Sequence, residues 1–141
     1  MRLNYYKYFF LYQPPVEAII VLNKRPTSIT PGVSIIDGWG FTWQGNNRNL
    51  KASIQITCYS TVASVTATWY MCRRRVGEPG FEIVCQCLFY FNQDHVHMTM
   101  PTLYAVDISK TRDNMQYFVA TGPYCMVDGN DTCTIITTEY Y

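Results

Sequence analysis

Six cysteines, two histidines and one run of three arginines are the residues of this chain whose types and spacing could do chemistry. Cys85-x-Cys87 and His95-x-His97 place paired ligands on alternate residues, which on a strand share a face and could converge on zinc. Structural zinc sites favour two to four residues between paired cysteines, whereas the spacing here is one. The competing reading puts His95 and His97 in solvent while Val96, Met98 and Met100 face the core, and on it no metal ligand and no cofactor site is assigned. Nucleophilic catalysis would need a Cys or Ser beside a His with an orienting carboxylate, and both histidines sit next to Asp94 with no G-x-S-x-G turn or phosphate-binding glycine loop. The acids form no recognisable pair for glycoside hydrolysis. The sequence therefore reads as a non-enzyme.

Two cysteine pairings follow from turn chemistry. Gly77-Glu78-Pro79-Gly80 joins two strand-like runs, and symmetric pairing about Glu78-Pro79 sets Cys72 opposite Cys85 as a cross-strand thiol pair, with Tyr70 opposite Cys87. Asp128-Gly129-Asn130 suits a three-residue hairpin loop, and symmetry about Gly129 sets Cys125 opposite Cys133, the better disulfide candidate. The alternative is six buried free thiols. Arg73, Arg74 and Arg75 precede the first of these turns, where they could grip an anion; the competing reading is a solvated hairpin end balanced by Glu78 and Glu82. Asn130-Asp131-Thr132 is a glycosylation sequon that matters only on a secretory route.

The elements that would position these residues are strands. Leu50, Ala52, Ile54, Ile56 and Cys58 alternate with Lys51, Ser53, Gln55 and Thr57, the pattern of a half-buried strand. Further strands are expected over Val16–Leu22, Trp39–Trp43, Val62–Cys72, Phe81–Phe91, His95–Met100, Leu103–Ile108, Met115–Ala120 and Thr132–Tyr140, each bounded by Gly, Pro, Asn or Asp. No amphipathic helix, repeat or linker interrupts them. Phe81, Ile83, Cys85, Cys87, Phe89 and Phe91 form one face of their strand. The opposite face, Val84, Leu88 and Tyr90, is apolar too, so either a long loop or a subunit interface covers it. Residues 1–15 read as a separate arm carrying Tyr5, Tyr6, Tyr8, Phe9, Phe10 and Tyr12 ahead of Pro14-Pro15, and 16–141 as one domain.

Composition narrows the function classes. The chain has 141 residues and a formal net charge of +1, which gives no overall pull toward nucleic acid. Charged residues make up 15% and aromatics 16%, a thin polar coat that predicts burial of surface against neighbours rather than a stable monomer. No run approaches the roughly 18 to 20 apolar residues of a spanning helix. The N-terminus reads as mature protein, with Asn4 and Lys7 breaking any signal-like core.

The even ladder of strands, the hairpin of two long aromatic strands, the segments Val106-Asp107-Ile108 and Met115-Gln116-Tyr117-Phe118-Val119, and the final Thr-Ile-Ile-Thr-Thr-Glu-Tyr-Tyr resemble a single jelly roll of the viral capsid or TNF/C1q type. The resemblance spans Pro31 to Tyr141. It implies trimers or capsid lattices, with one sheet at subunit contacts; it carries no binding residue over. The resulting expectation is a structural subunit of a virus particle, a minor capsid, cementing or spike-head protein, partnered by itself and by other virion proteins. The alternative is a secreted immunoglobulin-like recognition module, motivated by Cys58 followed by Trp69, although the tyrosine corner is missing where Pro123 and Asp131 stand. A lipocalin-like barrel ranks third.

Overall fold

The structure, a computed structural model, describes residues 16–24, 34–45, 47–108 and 112–140. The aromatic arm from Tyr5 to Tyr12 lies outside the described residues. These segments form nine strands, with no helix among the described residues: β1 (Val16–Lys24), β2 (Ser34–Gln44), β3 (Asn49–Cys58), β4 (Val65–Arg75), β5 (Glu82–Phe91), β6 (Met98–Thr99), β7 (Leu103–Asp107), β8 (Asn114–Thr121) and β9 (Cys133–Tyr140). They pair antiparallel into two sheets. One runs β1-β9-β3, with β7 and β6 both pairing the far edge of β3; the other runs β2-β8-β4-β5. Every connection except the β4–β5 hairpin and the β6–β7 step crosses from one sheet to the other, which makes the sandwich a jelly roll.

The inward residues of both sheets fill one core. Leu50, Ala52, Ile54, Ile56 and Cys58 of β3 are all buried, as their alternation requires, and they meet Trp69, Met71, Cys87, Phe91, Tyr117 and Val119 from the facing sheet. A smaller cluster of Cys72, Phe118 and Ala120 sits on the outer face of the four-stranded sheet, where Phe81 packs edge-on against Phe118 and the Arg74 guanidinium lies 5.0 Å above the same ring.

Three local irregularities depart from the alternation. The β2–β8 register shifts between Ile35 and Gly40, which folds Trp39 fully into the core. Only glycine fits at position 40, since a Cβ there would stand 2.3 Å from the Tyr117 carbonyl oxygen. The strand expected from Val62 starts instead at Val65, after a bend in which Ser64 takes φ 58°. The strand expected over His95–Met100 shrinks to Met98–Thr99, because His95 also lies in the left-handed region at φ 58°.

Candidate functional site

The outer face of the five-stranded sheet displays apolar side chains that no described residue covers. In β7, Leu103, Ala105 and Asp107 turn inward, which forces Tyr104 and Val106 outward. Tyr104 is 74% exposed, Val106 58%, and Ile136 of β9 42%. Register places them side by side: Tyr104 opposes Ser53, which opposes Ile136, and Val106 opposes Lys51, which opposes Thr138. Together with Lys51, Ser53 and Thr138 they line a shallow depression of about 200 Å³. Ile108 continues the apolar strip beyond β7. Apolar and aromatic residues displayed across adjacent strands, with Lys51 the one charge among them, have the makeup of a protein contact surface.

This face went unread in the sequence although its signal was present. Val106 and Ile108 on one side of β7 and Leu103 and Ala105 on the other give the same two-sided apolar pattern that singled out the β5 strand.

The interface residues expected there, Val84, Leu88 and Tyr90, are exposed on the outer side of β5, the edge strand of the other sheet. Leu88 reaches 61% exposure, so nothing among the described residues covers it. Cys85, Cys87, Phe89 and Phe91 do pack toward the core as expected, but Phe81 and Ile83 are exposed. The cause is a register shift between Met71 and Cys72, which leaves Val84 without a partner and reverses the alternation beyond it.

The same shift corrects the first cysteine pairing. Cys72 opposes Ile83, Met71 opposes Cys85 and Trp69 opposes Cys87, so Cys72 belongs to the outer cluster while Cys85 packs against the core. The hairpin loop is not symmetric about Glu78-Pro79, because Gly77 turns at φ 90° and Val76 donates its N–H to the Asn114 carbonyl. The second pairing is corrected as well. Cys133 opens β9 opposite Ile56 and Lys24, whereas Cys125 lies in a turn whose next residue, Met126, bridges to Tyr59. Cys125 meets Cys58: the two buried thiols share a hydrogen bond, which together with burial raises the Cys58 pKa.

The cysteines are thiols rather than disulfides, and burial pushes Cys72 up to about 11, with Cys85 nearby adding to it. A folded pKa above the ordinary value of 9.0 means that Cys72 contributes stability fully below pH 9 and loses it as pH rises through 11. Titration with a thiol reagent at pH 8 is therefore expected to label at most Cys85 rapidly, the one cysteine not fully shielded, and to reach all six only in denaturant. Rapid labelling of more than one thiol in the native protein would contradict this packing.

The arginine run is held by the chain itself. Arg73 points between the sheets and donates to Asp107 at 2.7 Å and to Glu82 at 2.6 Å, while Tyr117 donates its hydroxyl to the same Asp107 oxygen at 2.5 Å. Burial opposes the Arg73 charge, but its bonds to Glu82, Tyr117 and Asp107 outweigh that and raise its pKa. Tyr117 is raised by burial and by Asp107. Arg74 donates to Gln116 at 2.8 Å, and Arg75 pairs with Asp113 at 3.1 Å and Glu78 at 3.4 Å. Arg73 is thus an inter-sheet clamp, Arg74 and Arg75 are already engaged, and Glu82 and Glu78 balance Arg73 and Arg75 as the competing reading had it.

Cys85-x-Cys87 and His95-x-His97 do not converge: the cysteines pack toward the core, His95 pairs with Asp94, and His97 turns to the β8–β9 connection.

No protein-family profile matches the chain, and no curated protein matches its sequence. Among solved structures, the chain is similar to Eiger TNF from S. frugiperda, with a TM-score of 0.52 and 11% identity over 90% of this chain and 88% of that one. At that identity the likeness concerns the fold, and it agrees with the jelly-roll strand order described above.

Proposed function

We propose that this chain is a non-catalytic jelly-roll subunit that works by assembling, three copies meeting through the outer face of the five-stranded sheet. The observation that carries the reading is the row of Tyr104, Val106 and Ile136 on that face, exposed in the single chain and backed by a rigid sheet. Three copies are what the TNF/C1q resemblance implies, and a threefold contact would bury each copy's face against its neighbours. Sedimentation equilibrium at micromolar concentration tests this. The expected mass is three 16.4 kDa chains, and a stable single-chain mass overturns the reading.

The setting we propose is a virus particle, in which the subunit is structural. A closed trimer uses one outer face, yet Val84, Leu88 and Tyr90 leave a second apolar surface on the opposite sheet, available to other particle proteins. Quantitative mass spectrometry of gradient-purified particles is expected to find the chain at fixed stoichiometry. The fold shared with Eiger TNF favours a second reading, a secreted recognition module, and that reading replaces the first if the chain is found free in medium and absent from particles.

A further inference from the structure

At one end of the sandwich the β5–β6 connection and the β8–β9 loop bring a histidine against two aspartates. His97 Nδ1 lies 2.7 Å from Asp131 Oδ1, and His97 Nε2 lies 3.5 Å from Asp128 Oδ2. One ligand atom from each of the three residues falls within 4.8 Å of the others. Asp131 is completely buried, and its other bonds come from the Thr57 hydroxyl to Oδ1 at 2.8 Å and from the Asp128 N–H to Oδ2 at 2.9 Å. Among the described residues no Lys or Arg pairs with either aspartate, so two carboxylates, one of them fully desolvated, share a single imidazole. A buried carboxylate without a full counter-charge is costly, and a cation seated between the three groups would relieve it.

The loop is also braced. Asp128 Oδ1 accepts the Asn130 N–H at 2.8 Å, and the Asp131 N–H closes the turn on the Asp128 carbonyl at 3.0 Å, so the turn holds both carboxylates beside His97. Thr57 ties that loop to β3 by accepting the Thr132 N–H at 2.9 Å. The Tyr59 ring packs on the His97 ring with centroids 4.5 Å apart and fixes its plane. In a tetrahedral zinc site, metal–nitrogen and metal–oxygen bonds of about 2.0 to 2.2 Å set neighbouring ligand atoms roughly 3.3 to 3.5 Å apart. The 2.7 Å from Nδ1 to Asp131 would open by about 0.6 Å to reach that spacing, while Asp128 now faces the other ring nitrogen and would have to turn to join it.

We propose that His97, Asp128 and Asp131 bind a divalent cation of the zinc class. One His97 ring nitrogen and one oxygen from each aspartate are the protein ligands. The ion takes the place of the hydrogen between Nδ1 and Asp131, any proton on that nitrogen leaves to solvent, and a rotation of Asp128 carries Oδ2 from Nε2 to the ion. The fourth position opens outward, because the His97 and Asp128 side chains are 35% and 25% exposed. An imidazole with two carboxylates suits zinc; calcium takes six to eight oxygens, more than this cluster offers. The ion would lock the β5–β6 connection, the β8–β9 loop and the end of β3 into one unit.

Isothermal titration of the full, metal-stripped chain with zinc chloride at pH 7.5 is the test. One ion per chain is expected, with release of a proton where His97 begins protonated, and the melting temperature rises with zinc and not with calcium. His97→Ala and Asp128→Ala, both at partly exposed positions, are each expected to weaken binding by at least about 100-fold, beyond the loss typical of an outer-shell partner. If either fails to fold, His97→Gln and Asp128→Asn preserve the shape and remove the ligand. Cobalt(II) in place of zinc should give visible bands without a thiolate charge-transfer band, because the ligands are nitrogen and oxygen. Absence of saturable uptake, uptake indifferent to these substitutions, or a thiolate band would overturn the proposal, the last by moving the ion to the cysteines.

Discussion

Val106→Arg is expected to convert the assembled protein into single chains, weakening self-association by more than about 100-fold while the domain stays folded. Val106 stands on β7 at the β3 edge of the outer face, directly opposite Lys51 and one alternation from Tyr104. Burying a valine side chain against a neighbour is worth about 1.5 to 3 kcal/mol, and a symmetric assembly loses that contribution once per copy. The new guanidinium adds a like charge beside Lys51 in every copy, and like charges held close in a desolvated contact repel strongly. Because the position is exposed in the isolated chain, the folding cost should remain within about 0.5 kcal/mol. Analytical ultracentrifugation reads the mass, and urea unfolding reads the fold. Leu88→Arg on the opposite sheet is the control: its mass should remain that of three chains. If Leu88→Arg dissociates the protein and Val106→Arg does not, the assembly face is β5, as the sequence pattern of that strand indicated.

Asp107→Ala is expected to remove about 3 to 5 kcal/mol of stability, the range for leaving one member of a buried ion pair unpaired. Asp107 of β7 accepts the Tyr117 hydroxyl and is, among the described residues, one of two carboxylates on Arg73, so the substitution strands a phenol and half of a guanidinium between the sheets. Asp107→Asn keeps an oxygen at the same place and should cost less. Tyr117→Phe, which removes the phenolic hydroxyl and its bond to Asp107, should cost about 1 kcal/mol. Urea midpoints at constant slope give the comparison. A loss below 1 kcal/mol for Asp107→Ala would mean that water replaces the carboxylate and that the clamp is solvated.

What was legible in the sequence follows the range over which each feature acts. The alternation of β3 sits within ten consecutive residues, and hydrophobic burial acts on it directly, so its faces were read correctly. The jelly-roll class followed from the count and spacing of such runs. Register was another matter. A bulge costs one residue and leaves little local trace, yet the one at Val84 turned Phe81 and Ile83 outward and took Cys85 out of register with Cys72. Partners drawn from different sheets were equally hidden. Asp107 reads as a polar interruption between two apolar residues until β4 and β8 bring Arg73 and Tyr117 to it, and Cys58 finds Cys125 only once the β8–β9 connection has folded over the end of β3. His97 and Asp131 are likewise joined by topology alone, since no spacing rule links a histidine before β6 with a turn before β9.

The central position of β9 governs how the chain reaches this state. It lies between β1 and β3, pairing Glu139 with Val16 on one side and Tyr140 with Asn49 on the other. The five-stranded sheet therefore has no middle until the last described strand arrives, and β1 and β3 wait with open edges for a strand that follows much later in the chain. Contacts so distant along the chain make for slow folding, on the order of milliseconds to seconds for comparable all-β domains. During synthesis the nascent chain can form the β4–β5 hairpin, which is local, but it cannot close its core while β9 is still inside the ribosome. Until then β1 and β3 carry unpaired edges and β3 an exposed apolar row, the period in which a chaperone would matter most.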